Sequence, residues 1–238
     1  MPARPSPSAA TADGRTRPGD FRSTAAYIAP FVVYVGLMGV EQMAHLPIQV
    51  FYPIRCLAAV LTLLWLSRGV IGLRPTRAPA SILLGAAVFV IWIAPDLLFH
   101  YRHFWLFENP IFGHADSSAP AGLRASLFFR VVRTLGCTLV VPVLEELFWR
   151  GWMMRWLIDF HFTKVKLGAY TPAAFWTVAL IFASEHGPYW EVGLAAGILY
   201  NWWMVRTGSL ADCIWAHTVT NGLLSAYVLA ANQWQYWL

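Results

Sequence analysis

The chain has 238 residues, 58% of them hydrophobic, 13 of them tryptophan and only 12% charged, with a formal net charge of +5. An average soluble domain carries about 25% charged residues, and a membrane-spanning helix needs roughly 20 mostly apolar ones, a length this chain offers several times. A soluble globule is excluded. So is a nucleic-acid partner, because the basic residues sit in short clusters between apolar segments, as the positive-inside rule expects of cytoplasmic loops. The three cysteines, Cys56, Cys137 and Cys213, lie far apart in apolar stretches. They have no metal-like spacing, their odd number argues against a disulfide framework, and they read as small core residues.

In chain order, the opening "MPARPSPSAATADGRTRPGDFRS" is rich in Pro, Ser, Ala and Arg without apolar periodicity, so residues 1–24 read as a disordered cytoplasmic tail. It lacks the cleavable apolar region of a signal peptide. Spans are expected near 25–44, 49–67, 80–101, 124–157, 171–187, 190–206 and 210–231. The fold class is therefore all-α, a polytopic transmembrane helical bundle of about seven spans. Arg15, Arg17 and Arg22 put the tail inside. Arg68, Arg74 and Arg77, then Lys164 and Lys166, then Arg206, put the alternate loops inside as well. The aromatic-rich, Lys-poor loop 102–123 suits the outer interface, and the terminal "NQWQYWL" reads as an aromatic anchor there. Arg130 and Arg133 fit this topology poorly, since they fall in the outer part of the fourth span.

That fourth span contains "VPVLEELFWRGWMMRW", with Glu145, Glu146 and Arg150 inside apolar sequence. Neighbouring helical residues point about 100° apart, so Glu145 and Glu146 cannot both face one small site. Glu146 and Arg150 are four apart with the acid first, the favourable order for a helical ion pair, which leaves Glu145 facing elsewhere and Glu146 turned away toward Arg150. Pro142 lacks an N–H, so the carbonyl of Thr138 loses its helical partner and the helix is expected to kink. The bland alternative is three solvated charges at a membrane edge. Apolar sequence on both sides speaks against it, since intramembrane ionisable groups are functional by default.

Two further pairs sit four apart: Phe182 and His186 in "ALIFASEHG", and His217 and Asn221 in "IWAHTVTNG". Each alone is as easily a hydrogen-bonded interface residue. Counted along their spans, however, Glu145, His186 and Asn221 fall roughly 17–22 Å from one membrane face, with His217 one turn lower. Glu145, His186, His217 and Asn221 are therefore expected to line one polar cavity among the fourth, fifth and seventh spans.

The ordered set Glu145-Glu146-x-x-x-Arg150-Gly151, Phe182-x-x-x-His186 and His217-x-x-x-Asn221 resembles the CPBP family of intramembrane proteases, also called Abi or CAAX prenyl protease-like. The resemblance covers roughly 125–231, includes "TGSL" at Thr207–Leu210, and makes 124–238 the catalytic core. It leaves 25–123 as N-terminal helices and an outer loop without assigned function. Glu185 is a further acid that the pattern does not require.

The resemblance implies water-mediated peptide hydrolysis, with Glu145 as general base, His186 positioning the water, His217 and Asn221 stabilising the oxyanion, and Glu146 with Arg150 holding the helix. No cofactor is favoured. Zinc on Glu145, His186 and His217 is the alternative, although H-E-x-x-H is absent and Asn is a poor zinc ligand. The expected partners are the lipid bilayer and a membrane-associated protein or peptide substrate. The expected location is a bacterial inner (plasma) membrane, with the N-terminus cytoplasmic. Three other readings stand beside this one: a transporter or channel, against which no internal repeat is found; a non-enzymatic membrane partner or immunity protein; and a processor of C-terminal sorting tails of exported proteins.

Overall fold

A chain in hydrocarbon must satisfy its backbone N–H and C=O groups within itself, which favours helices. A computed structural model of the protein, which describes residues 18–237, is built of them, with no strand among those residues. Of the expected tail, residues 1–17 lie outside the described ones, and α1 already begins at Pro18. The main helices are α1 (Pro18–Met43), α2 (Ile48–Ser67), α3 (Ala78–Phe99), α4 (Leu127–Trp156), α5 (Pro172–Ser184), α6 (Trp190–Thr207) and α7 (Leu210–Ala231). They fall where the seven spans were expected, and the three cysteines are unpaired.

Among the described residues, four stretches are long and apolar enough to cross a membrane by themselves: Phe21–Met43, Ile48–Ser67, Ala78–Phe99 and Leu127–Trp156. α5 is a shorter apolar helix. α6 and α7 are long, with 18 and 22 residues, but less apolar. The reason is their place in the bundle. They bury Asn201, Asp212, His217, Thr220 and Ser225 against other helices, so these residues do not meet lipid.

α3 packs along α7, α5 along α6, and α1 along α2. The α3–α7 approach depends on Gly85, where a Cβ would collide with the carbonyl of Ala216. With hydrogen there, the Thr220 hydroxyl reaches the Gly85 carbonyl at 2.8 Å. At the other end of the same pair the fully buried Asp212 accepts from Thr76 N and Oγ1, Arg77 N and Ser81 Oγ, all at 2.8–2.9 Å. A carboxylate at the N-terminal turn of α3 also meets the favourable end of its dipole. Depth and rotation of α7 are thereby fixed. The "TGSL" turn ends α6 and caps α7, with Ser209 Oγ accepting from Asp212 N at 3.3 Å.

The loop 102–123 is tied down at Arg102 while Phe104, Trp105 and Ile111 stay exposed. Arg102, 3% exposed, donates through Nη1 to Pro188 O and to Glu191 Oε1, each at 2.6 Å. This clamps the loop to the turn between α5 and α6. The C-terminal segment departs from the expected surface anchor. It folds back, burying Tyr236 and Trp237, and Trp237 Nε1 reaches Ser225 Oγ at 3.4 Å. Large rings with one polar atom bury well when that atom finds a partner.

Candidate active site

The fourth span is not a plain α-helix. Gly136–Val140 and Leu147–Met153 are π-helical, flanking the short α stretch Val141–Glu146 that carries both acids. In the first π segment Val141 N donates to Gly136 O. In that register the next bond would join residue 142 to Cys137 O, and residue 142 is proline. The Cys137 carbonyl is thereby left without a helical donor, and Asn221 Nδ2 supplies one at 3.0 Å. Proline thus causes a shift of register where a simple kink was expected, and α7 repairs it. π-bulges of this kind are frequent at functional sites.

Glu145, His186, His217 and Asn221 line one cavity of about 150 Å³, together with Trp92 from α3, Arg133, Cys137 and Val141 from α4, Tyr200 from α6, and Tyr236 and Trp237. That is room for roughly five waters at about 30 Å³ each. Glu145 Oε2 is buried and has no hydrogen-bond partner among the described residues. Glu185 does not line this cavity.

His186 lies just past the end of α5, in the turn to α6, and not within the helix as expected. Its Nδ1 is 2.8 Å from Phe182 O. A carbonyl can only accept, so in the neutral ring Nδ1 carries the hydrogen and Nε2 keeps its lone pair. Trp92 meets the ring edge-on at 5.1 Å, and Gly193 of α6 lies so close that a Cβ there would sit 3.0 Å from Nδ1. The imidazole is held on three sides.

Glu146 pairs with Arg150 at 3.1 Å, as the spacing predicted. It does not turn away from the site, however. The same Oε1 accepts from His217 Nδ1 at 2.9 Å. The 100° between adjacent side chains separates Glu145 from Glu146 around α4, but α7 runs across both directions, so His217 lines the cavity and also touches Glu146. Arg150, fully buried, lies over the rings of Phe182 and Tyr200 at 4.5 and 5.4 Å and donates through Nε to Asn201 Oδ1 at 3.0 Å. Asn201 Nδ2 in turn donates to Phe175 O at 2.8 Å. Tyr200 stacks on His217 at 5.0 Å and donates to Thr220 at 2.8 Å.

Asn201 and Tyr200 were not legible as site residues, because α6 offers one Asn in "GILYNWWMV" and no partner at helical spacing. Arg133 left a clearer trace, as a charge that fitted no loop.

No group of three His, Cys, Asp or Glu side chains is positioned to share an ion among the described residues, while each histidine, with Nδ1 on a protein acceptor, keeps Nε2 free for a water or an ion. What the arrangement offers is a carboxylate oxygen without a partner, two oriented imidazoles and an amide in a small, mostly apolar chamber.

Residues 125–223 match the family model described as type II CAAX prenyl endopeptidase Rce1-like. The comparisons gave no match among curated proteins and none among solved structures. The matched stretch begins just before α4, ends in α7, and contains all six residues singled out from the sequence, so across 125–223 this helical integral membrane protein is similar to the type II CAAX prenyl endopeptidases described as Rce1-like.

Proposed function

We propose that the protein is an intramembrane endopeptidase that hydrolyses a peptide bond of a membrane-associated protein with a water activated by Glu145, in a bacterial inner membrane with its N-terminus in the cytoplasm. The observation that carries this reading is the partnerless Glu145 oxygen in a water-sized cavity shared with His186, His217 and Asn221. Glu145 takes one proton from water as the water oxygen bonds to the scissile carbonyl carbon. Nε2 of His186, left as an acceptor by the Nδ1–Phe182 contact, orients the second hydrogen of that water. The carbonyl oxygen becomes an oxyanion beside two donors. One is Nε2 of His217, a donor when the ring carries both hydrogens, since Nδ1 is held on Glu146. The other is the second hydrogen of Asn221 Nδ2, the first being used by Cys137 O. Preorganised donors in a water-poor site act strongly on such charge. Collapse breaks the C–N bond, the amine leaves with the proton from Glu145, and the carboxylate is regenerated.

Glu145→Gln tests this. Gln keeps the shape and cannot take the proton, so turnover of an accumulating precursor should fall about 10⁴-fold while insertion and folding persist. Near-normal turnover would remove Glu145 from the reaction. Activity should also survive exhaustive chelation. One tightly held zinc per chain, with activity lost on its removal and regained on its return, would replace the glutamate route by a metal one.

A further inference from the structure

The cavity that holds Glu145 is small for the reaction proposed there. It measures about 150 Å³, whereas sites that enclose a drug-sized ligand measure about 300–1,000 Å³. A peptide with residues on both sides of the bond to be cut needs the larger space, so part of the wall has to move. Most of the wall is fixed. Trp92, Val141, Tyr200 and Asn221 stand on α3, α4, α6 and α7, and His186 on the turn that Arg102 clamps. Tyr236 and Trp237 differ. Among the described lining residues, these two come from outside the seven helices and that turn. They belong to a short segment with one 3₁₀ turn, Trp234–Tyr236, beyond the end of α7. The chain turns back at Asn232, which caps α7 with φ 55° and ψ 32°. Asparagine tolerates this left-handed conformation, and lids hinge on residues at the ends of elements, which take up large changes in φ and ψ. Several bonds that hold the segment are long for hydrogen bonds. Trp237 Nε1 donates to Ser225 Oγ at 3.4 Å, Tyr236 OH to Asp96 Oδ2 at 3.3 Å, and Tyr189 OH to Gln235 O at 3.4 Å. Those from Ser118 N and Oγ to Trp237 O are shorter, at 2.8 and 3.0 Å.

We infer that residues 233–237 form a lid that narrows this cavity and swings away about Asn232 to admit the substrate chain. The inference rests on the cavity being the peptide site proposed above. In the closed position Tyr236 and Trp237, 5% and 3% exposed, fill space beside the catalytic groups. Opening breaks the contacts to Ser118, Ser225 and Asp96 and carries Trp234, Tyr236 and Trp237 outward. Rings with an apolar body and a polar atom are the side chains that a membrane interface accepts. The composition that read as an interfacial anchor therefore suits the open position, while the remote partners hold the closed one. Substrate binds the open form, so its apparent affinity is reduced by the open fraction. A change that weakens the closed contacts raises access to the cavity without touching Glu145.

Two native thiols report on the lid without any turnover. Cys137 lines the cavity, and Cys213, fully buried on α7, does not. The purified protein in detergent is treated with N-ethylmaleimide or with a maleimide carried on an apolar tripeptide, and modification of each cysteine is followed by mass spectrometry. Each rate is divided by the rate of the same probe with free cysteine. The small probe should modify Cys137 at least about tenfold faster than the peptide probe, because the peptide needs an open form populated at about a tenth or less. In Trp237→Ala that ratio should fall to about one, with Cys213 still unmodified. Ser225→Ala keeps the ring and removes the acceptor of Trp237 Nε1, and should lower the ratio roughly threefold. It decides the matter if Trp237→Ala does not fold. Equal rates of the two probes in the unsubstituted protein, a ratio that neither variant changes, or no reaction of Cys137 with either probe would overturn the inference. So would modification of Cys213 together with Cys137, which marks a general loosening of the bundle. Failure of the hydrolysis reading shows separately, as proteolysis that continues without Glu145.

Discussion

The first three helices and the last two place their polarity in opposite directions. α2 and α3 turn Leu57, Leu61, Leu64, Trp65 and Leu83 outward, each more than half exposed. The buried charges of this half close structural contacts, Glu41 on Arg55 at 3.1 Å and Arg102 on Glu191 at 2.6 Å. α6 and α7 instead turn Asn201, His217 and Thr220 inward, and all three are buried. Hydropathy along a window therefore reports which surface meets lipid. It finds α1 to α4 and passes over α6 and α7, the helices that give the cavity Tyr200, His217 and Asn221. The family match leans the other way, since it covers 125–223 and omits α1 to α3. Yet Trp92 of α3 packs on His186, and Arg102 holds the turn that carries it. The unmatched half is a brace for the matched one.

The strongest test of this division lies inside the polar network. Glu146→Ala and Arg150→Ala should each destabilise the protein by about 3–5 kcal/mol, because each strands a partner in a low-dielectric interior. Glu146→Ala should also lower turnover in the protein that remains folded, since His217 loses the acceptor on Nδ1. The double variant should be less damaged than the sum of the singles. Chemical denaturation beside turnover per folded molecule separates the two effects. Strict additivity would show that Glu146 and Arg150 act independently, and unchanged turnover in Glu146→Ala would return that acid to a purely structural role.

The contacts that make this test sharp were only half readable. Four-residue spacing on one helix gave Glu146–Arg150 because that geometry is local. The bond from Glu146 to His217 joins residues 71 apart and depends on how α7 crosses α4. Matched depth brought His217 near but could not give its rotation, which Gly85 and Asp212 set through α3. In the same way, Pro142 announced a lost hydrogen bond, while the π register that leaves Cys137 O to Asn221 was not readable from the spacing. The aromatic C-terminus read as an interface anchor because Trp and Tyr favour interfaces in general. Its burial depends on Ser118 and Ser225, remote partners that composition does not reveal.

Asn221 separates catalytic from architectural polarity within α7. Its Nδ2 satisfies Cys137 O at 3.0 Å, and the same nitrogen has one hydrogen left for the reaction. Asn221→Ala should cost about 10²–10³ in turnover through the lost oxyanion donor, and about 1–3 kcal/mol of stability through the unsatisfied carbonyl. Asn221→Asp, whose carboxylate cannot donate to Cys137 O, should be no better on either count. A loss of stability alone, with kcat of the folded fraction intact, would make Asn221 a repair of the proline site and nothing more.

The smallest expected effect probes the other half. Leu61 of α2 is 57% exposed and Leu144 of α4 is 1% exposed, and the chain reads both as lying within spans. In water a half-exposed leucine still gains from partial burial. In lipid the surroundings are as apolar as the side chain, so no hydrophobic force distinguishes the two, and packing alone counts. Leu61→Ala should therefore change stability by no more than about 0.5 kcal/mol. Leu144→Ala leaves a cavity beside Glu145 and Glu146 and should cost about 2–5 kcal/mol. Unfolding of both variants in bilayers or bicelles measures the contrast. Equal and large costs would mean that the outward face of α2 is covered by protein, and that α1 to α3 bury a surface now assigned to lipid. A near-zero cost for Leu61 with a large one for Leu144 would place the stability of the bundle in the contacts between helices that also build the site.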